Sequence, residues 1–147
     1  MPARVTDKEY VALAEVRYRI RRFLNFSEAS AREVGLEPQQ HQLLLAIRGM
    51  PGGETATIGR VAERLQIRHN SAVELANRSA QKGLVHKRAS RRDGREVLLE
   101  ISPHGRRVLE KLAVVHRTEL KGMAPVLLGA LEELVLGGAP SAREALS

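Results

Sequence analysis

The chain has 147 residues, 43% of them apolar, and a formal net charge of +7. This length and composition are typical of one folded domain and exclude a largely disordered chain. Cysteine is absent, which excludes disulfides, thiolate metal sites and a thiol redox switch and fits the cytoplasm. No apolar run approaches the ~18 residues of a membrane span, and the N-terminal residues lack a secretion signal. We therefore expect a cytoplasmic protein with no membrane partner.

The first predicted element is a long helix over residues 7–33. Thr6 and Glu9 have the spacing of a capping box at its start, in which each side chain bonds the backbone amide of the other residue. Gly35 suits the left-handed conformation that commonly ends a helix. Several arginines interrupt the apolar pattern of this helix, so we expect much of it to face solvent.

Two helices of different length are predicted next. Pro38 suits the first turn of a helix whose apolar residues lie between positions 43 and 47. The Met-Pro-Gly-Gly sequence at residues 50–53 then breaks the chain. Thr57 is suited to cap a short helix over residues 58–65.

Another helix is predicted over about 69–82, and Gly83 ends it. One face of this helix carries small or apolar residues at helical spacing, which we expect to face the core: Ala72, Leu75, Ala76 and Ser79. The opposite face is polar and carries Asn70, Glu74, Asn77 and Gln81, flanked by Ser71 and Arg78. Ser71 and Glu74 also have the spacing of a capping box near the helix start.

Two short strands follow, over about 84–89 and 96–101, because apolar and polar residues alternate in the second of them. The Asp-Gly pair at residues 93–94 predicts a two-residue hairpin turn between the strands. That turn implies two cross-strand pairs, Arg92 with Arg95 and Arg91 with Glu96.

Helices are predicted again in the C-terminal part. Ser102 and Pro103 have the residue types of an N-cap and a first helical position. Gly122 and Pro125 then interrupt the apolar pattern. We therefore expect a separate final helix over about 125–136.

The positive charge is concentrated in one segment. Between Arg60 and Arg95 there are ten basic and three acidic residues, so ten minus three gives the whole net charge of +7. A localised basic surface indicates a polyanionic partner such as nucleic acid. The alternative is an ordinary charged surface that water solvates.

A helix, a short turn, a second helix and a β-hairpin are the order of a winged helix-turn-helix, whose second helix enters a DNA major groove. The fold class is therefore predicted as mainly α with a small β-hairpin wing (α+β). Amide and guanidinium groups on the polar face of the helix over 69–82 are suited to base edges. Glu74 would either accept from a cytosine amino group or cap the helix; we favour the cap, because DNA phosphates repel a carboxylate.

Arginines at the hairpin tip suit the negative potential of a narrow minor groove. Like charges directly opposite each other on two strands are destabilising, and an anionic partner explains why the chain tolerates them. The candidate DNA-binding residues are Arg68, His69, Asn70, Ser71, Glu74, Asn77, Arg78, Arg91, Arg92, Asp93 and Arg95.

The chain resembles the MarR type of transcriptional regulator, the multiple-antibiotic-resistance regulator family. The wing pattern of this family is Asp-x-Arg, then five residues, then an aliphatic residue and Thr or Ser. Here it reads Asp93-Gly94-Arg95 followed by Ile101-Ser102. Four further segments resemble the family in order and spacing: LEPQQHQLLLAI (36–47), IGRVAERL (58–65), QKGLV (81–85) and SPHGRRVLEKL (102–112).

The resemblance implies a ligand-responsive repressor that binds a pseudo-palindromic double-stranded operator as a homodimer. It also implies a small aromatic or phenolic effector and no cofactor, with Arg95 entering the minor groove and Asp93 orienting the wing arginines. It divides a single structural domain into an N-terminal dimerisation helix (1–35), a winged helix-turn-helix DNA-binding region (36–101), C-terminal dimerisation helices (102–138) and a loose tail (139–147).

Other functions remain open. The five histidines do not have a metal-binding spacing, and the sequence contains no Gly-rich phosphate loop or nucleophile motif, so we predict that the chain is not an enzyme. One alternative is a winged helix that binds RNA or protein without an operator, because a fold does not fix a function. Another is a metal-responsive regulator that uses a histidine site.

Overall fold

The structure is a computed structural model, and it describes residues 3–137. The predicted loose tail over 139–147 lies outside these residues. The elements are α1 (Asp7–Glu33), α2 (Pro38–Arg48), a 3-10 turn (Pro51–Gly53), β1 (Ala56–Thr57), α3 (Ile58–Leu65), α4 (His69–Gln81), β2 (Val85–Ala89), β3 (Val97–Ile101) and α5 (Pro103–Leu136). The predicted fold class, mainly α with a small β wing, is confirmed.

The chain forms two compact units. Residues 28–114 form the first, which we call the winged unit. Of the described residues, 3–27 together with 115–137 form the second, which we call the helical unit. The elements from α2 to β3 lie entirely in the winged unit, whereas α1 and α5 contribute residues to both.

Local capping signals in the sequence define the helix starts. The Thr6 amide donates to Glu9 Oε1 and the Glu9 amide donates to Thr6 Oγ1, both at 3.1 Å. Thr57 Oγ1 accepts from the Arg60 amide at 3.1 Å and begins α3. These bonds satisfy amides that would have no partner within the first helical turn, and they confirm the predicted caps at Thr6 and Thr57.

The wing is a three-stranded antiparallel sheet in the order β1-β3-β2. Ala89 lies opposite Val97, and Ala56 lies opposite Leu99. Strands β2 and β3 each begin one residue later than the sequence predicts. Strand β1 was not predicted, because two residues are too few to show a period.

The core of the winged unit is aliphatic, and every helix of this unit contributes to it. Burial of one such side chain contributes about 1.5–3 kcal/mol to the free energy of unfolding. Together they fix the positions of α4 and the sheet. The largest fully buried aliphatic side chains are Leu43, Leu44, Val61, Leu75, Leu84, Val85, Leu99 and Leu112.

One predicted break is wrong: α5 continues through Gly122 and Pro125 to Leu136. Proline costs a helix one hydrogen bond and about 3 kcal/mol. Met123 and Ala130, on either side of the proline, are both less than 10% exposed. Packing on both sides therefore outweighs the local cost, which sequence spacing alone does not reveal.

The predicted capping box of Ser71 and Glu74 is also wrong. Helix α4 begins at His69, and its N-cap is Arg68 in extended conformation. The amide of Ala72 already donates to the Arg68 carbonyl at 3.0 Å. Ser71 is thus the third residue inside the helix, where it cannot adopt the extended backbone of a cap.

The start of α5 yields a stability prediction. A Cβ atom on Gly105 would lie 2.2 Å from the Leu84 carbonyl oxygen, and that oxygen accepts from the Ser102 amide at 3.0 Å. We expect Gly105→Ala to lower the free energy of unfolding by about 1–3 kcal/mol, because the backbone must shift. Urea denaturation of the full chain measures this change in the free energy of unfolding.

Gly59→Ala is the matched control, since a Cβ atom there meets no atom within 4 Å. It should leave stability unchanged or raise it by up to about 1 kcal/mol. Equal stability of the two variants would contradict the close packing of Gly105 against Leu84.

Candidate nucleic-acid interface

The turn between α3 and α4 sets the direction of α4. Gln66 has a left-handed backbone, with φ of 55°, and its amide donates to the Glu63 carbonyl at 3.1 Å. The amide of Ile67 donates to the Ala62 carbonyl at 3.0 Å, which closes α3 in the manner of a Schellman motif. The sequence did not indicate this turn, because it uses no glycine.

The other end of α4 has the predicted glycine. Gly83 has φ of +73°, and its amide donates to the Ala80 carbonyl at 2.9 Å. The Leu84 amide donates to the Ser79 carbonyl at 3.0 Å. This is a complete Schellman motif, and it leads the chain directly from α4 into β2.

The predicted inner face of α4 is confirmed: its four residues, Ala72, Leu75, Ala76 and Ser79, are buried. The outer face is open to a partner. Exposed side chains there are His69, Asn70, Ser71 and Glu74, with Arg68 exposed just before the helix; Asn77 and Arg78 are half-buried.

Arg78 makes a contact within the protein. Its Nε lies 3.2 Å from Oε2 of Glu37, the N-cap residue of α2. Lys82, one turn later, donates from Nζ to the Gly35 carbonyl at 3.1 Å and to Gln40 Oε1 at 3.2 Å. Both groups tie the C-terminal half of α4 to the start of α2. An exposed ion pair of this kind contributes at most about 1 kcal/mol to the free energy of unfolding, so its main effect is to fix the position of α4 against α2.

Asn77 has a partner that the sequence did not indicate. Lys87, on β2, donates from Nζ to Asn77 Oδ1. Their separation of ten residues in the sequence corresponds to no helical or strand spacing. Only the turn at Gly83 brings them together, so no local sequence signal could have found this contact.

The wing loop differs from the predicted two-residue hairpin. The strand register places Ser90 opposite Glu96, with the Ser90 amide donating to the Glu96 carbonyl at 3.0 Å. The predicted pairs of Arg92 with Arg95 and of Arg91 with Glu96 are therefore wrong. The loop is longer than a two-residue turn, because hydrogen bonds among residues 90–96 stabilise the longer loop.

Two side chains organise this loop. Ser90 Oγ accepts from the amides of Arg92 at 3.2 Å and Asp93 at 3.4 Å. Asp93 Oδ1 accepts from the Arg95 amide at 3.0 Å, and the Glu96 amide donates to the Asp93 carbonyl at 3.0 Å. Asp93 thus orders the loop backbone, and Arg91, Arg92 and Arg95 all project as exposed side chains.

The ten basic residues between positions 60 and 95 all lie in the winged unit. Three of them form ion pairs with acids from outside that segment: Arg60 with Glu54 at 3.5 Å, Arg78 with Glu37 at 3.2 Å and Arg88 with Glu100 at 2.6 Å. Within residues 3–137 the remaining seven form no ion pair: Arg64, Arg68, Lys82, Lys87, Arg91, Arg92 and Arg95.

In the described part of the chain, no group of three or more His, Asp or Glu side chains is placed to hold a metal ion. No helix between residues 3 and 137 is long and apolar enough to cross a membrane.

The family comparison matches residues 34–96 to the MarR family. This segment covers α2 to the end of the wing loop, which contains all the candidate DNA-binding residues. The MarR resemblance of the sequence is therefore confirmed. No curated protein matches the sequence significantly.

Solved structures show the same fold at low sequence identity. AbsC from Streptomyces coelicolor, a MarR family transcriptional regulator, has a TM-score of 0.69 at 18% identity, over 86% of this chain and 85% of that one. A probable transcriptional regulator from Pseudomonas aeruginosa has a TM-score of 0.62 at 22% sequence identity, over 81% of this chain and 87% of that one. MepR of S. aureus, in a complex with DNA, has a TM-score of 0.64 at 14% sequence identity, over 76% of this chain and 80% of that one. The match to a family of transcriptional regulators agrees with the prediction that the chain is not an enzyme.

Proposed function

From the MarR-type winged helix-turn-helix that this chain carries, we propose that it binds double-stranded DNA in a sequence-specific manner and regulates transcription. One observation supports this most strongly. The exposed polar face of α4 and the arginines of the wing loop belong to one unit, and seven of the ten basic residues between positions 60 and 95 form no ion pair within residues 3–137. The structure of a MepR–DNA complex with the same fold adds support.

The candidate residues divide by their chemistry. Asn70, Ser71 and Asn77 carry groups that suit base edges in a major groove. With the cap excluded, we assign Glu74 to the other role, accepting from a cytosine amino group. Arg68 and His69 lie at the start of α4, where backbone amides and the helix dipole favour a phosphate. Arg78 is assigned to positioning of α4, because Glu37 already binds it.

The wing arginines are assigned to the minor groove. Arg91, Arg92 and Arg95 are exposed on a loop that Ser90 and Asp93 order. A narrow minor groove has an enhanced negative potential that favours such side chains. Asp93 acts here through the backbone of Arg95, whose amide donates to Asp93 Oδ1.

Two variants separate the roles of wing and helix. We expect Arg95→Ala to weaken binding to all duplexes by about 1.5–3 kcal/mol, the value of a charge-assisted hydrogen bond. Asn70→Ala should instead change the preference among operator sequences by about 1–3 kcal/mol per lost base contact. Titration against a set of duplexes measures both. Unchanged affinity of Arg95→Ala would show that the wing does not contact DNA.

We also propose that the chain binds its operator as a homodimer. Large apolar side chains of the helical unit are exposed, among them Tyr10 at 60%, Val11 at 70%, Leu128 at 55% and Val135 at 81%. An apolar groove of 550 Å³ in this unit is lined by Val11, Ala12, Val126 and Ala130, with charged residues at its margin. Exposed apolar surface of this extent is typical of an interface, and a two-fold dimer matches a pseudo-palindromic operator.

Sedimentation at micromolar concentration tests the dimer. The wild-type chain should sediment as a dimer, and Val11→Glu should shift it to a monomer, because a buried carboxylate without a partner is costly. Leu45→Glu is the matched control, since Leu45 is 53% exposed on the winged unit, and it should stay dimeric. A monomeric wild-type chain would contradict the two-fold operator.

The remaining proposals concern regulation. We propose that the chain is a repressor and that a small aromatic or phenolic effector releases it from DNA. A cavity of 210 Å³ in the helical unit supports this proposal. Its lining includes Phe23, Met123, Glu119 and two arginines, Arg19 and Arg22. Arg19 already pairs with Glu15 at 2.8 Å, so Phe23 and Arg22 are the groups that suit an aromatic ring with an anionic substituent. Because the proposed partner is chromosomal DNA, the proposal places the protein in the cytoplasm.

A further inference from the structure

We propose that Lys87 determines the base preference of Asn77 by fixing the orientation of its side-chain amide. This inference rests on the proposed DNA binding and goes beyond it by naming a specificity-determining residue outside the recognition helix. The observation is the hydrogen bond from Lys87 Nζ on β2 to Asn77 Oδ1 on α4. Lys87 is exposed, and Asn77 is half-buried on the side of α4 that faces the wing strand.

The chemistry of the two groups leaves one arrangement. A lysine ammonium has three donors and no acceptor, so only the carbonyl oxygen of an asparagine amide can face it. The Nδ2 group of Asn77, with its two donor hydrogens, must then face away from Lys87. The two ends of an amide are alike in shape, and the hydrogen-bond partner is what distinguishes them. Lys87 therefore acts as an orienting group for Asn77.

A fixed amide recognises a different base edge from a free one. A free asparagine contacts adenine in a bidentate manner, donating to N7 and accepting from the N6 amino group. Oδ1 of Asn77 keeps a second lone pair, but it is directed at Lys87 on β2, so the end of the amide turned away from that strand carries only donors. Guanine presents two acceptors in the major groove, O6 and N7. We therefore assign to Asn77 a preference for guanine over adenine, which reverses the usual pairing of asparagine.

The strand register keeps Lys87 in place. Lys87 lies opposite Leu99, which is 2% exposed, whereas Arg88 lies opposite Leu98 on the other face of the sheet. Arg88 pairs with Glu100 at 2.6 Å, and among the described residues no hydrogen bond or ion pair joins it to α4. It carries the same charge as Lys87 on the same strand, so it provides a matched control for loss of charge.

Selection from a pool of randomised duplexes tests the inference. The wild-type chain is compared with Lys87→Met, Arg88→Met and Asn77→Ala, and the position that Asn77 contacts is the one where Asn77→Ala equalises the four bases. At that position Lys87→Met should raise adenine relative to guanine by about tenfold, since the freed Oδ1 can accept from N6. Arg88→Met should weaken binding to all sequences without changing the preference.

A second variant keeps the test decisive if Lys87→Met does not fold. Asn77→Asp retains an acceptor for Lys87 but removes both donors, so it should lose the guanine preference. If Lys87→Met binds duplex DNA with the wild-type preference, the orienting role is overturned while DNA binding stands. If the wild-type chain binds no duplex in the selection, the proposed function fails, and this inference fails with it.

Discussion

The packing of α4 on its own unit is the constraint on which the rest of the structure depends. Ala72, Leu75, Ala76 and Ser79 are each at most 1% exposed, and three of these four side chains are small. Small side chains let α4 approach α2 and α3 closely, so the helix is fixed without using its polar side. The opposite side of α4 therefore remains open to a partner, and the turns at Gln66 and Gly83 fix its two ends.

Electrostatics then determines what kind of partner this surface suits. A count along the sequence places the whole excess of +7 between residues 60 and 95. The structure modifies this count, because Glu37, Glu54 and Glu100 enter from outside that segment and each pairs with one arginine. Most of the wing and α4 cations keep their charge available to solvent, and such a surface attracts a polyanion over a distance limited by salt.

Local signals in the sequence predicted local structure well. The caps at Thr6, Thr57 and Ser102 and the glycine exit at Gly83 each depend on atoms within a few residues. The predicted order of helices and strands followed from these signals and from apolar spacing. The family resemblance predicted which of these elements form the DNA-binding region.

Features that depend on distant contacts could not be predicted. The hydrogen bond of Lys87 with Asn77 and the ion pair of Glu37 with Arg78 exist only after the chain has folded. The break predicted at Pro125 was wrong because packing outweighed proline, and the hairpin register was wrong because Ser90 and Asp93 bind loop amides. At Pro125 the competing interaction lay outside the local pattern, whereas in the wing loop the competing hydrogen bonds are local and the Asp-Gly pair did not reveal them.

The dependence of duplex affinity on salt concentration tests the central claim most directly. If the unpaired cations of the winged unit neutralise phosphates, the logarithm of the association constant should fall linearly with the logarithm of salt concentration, with a slope of about −0.9 per phosphate contacted. With six or more such contacts, the affinity should fall by roughly a thousandfold between about 50 and 200 mM salt. An affinity that is independent of salt would contradict the account.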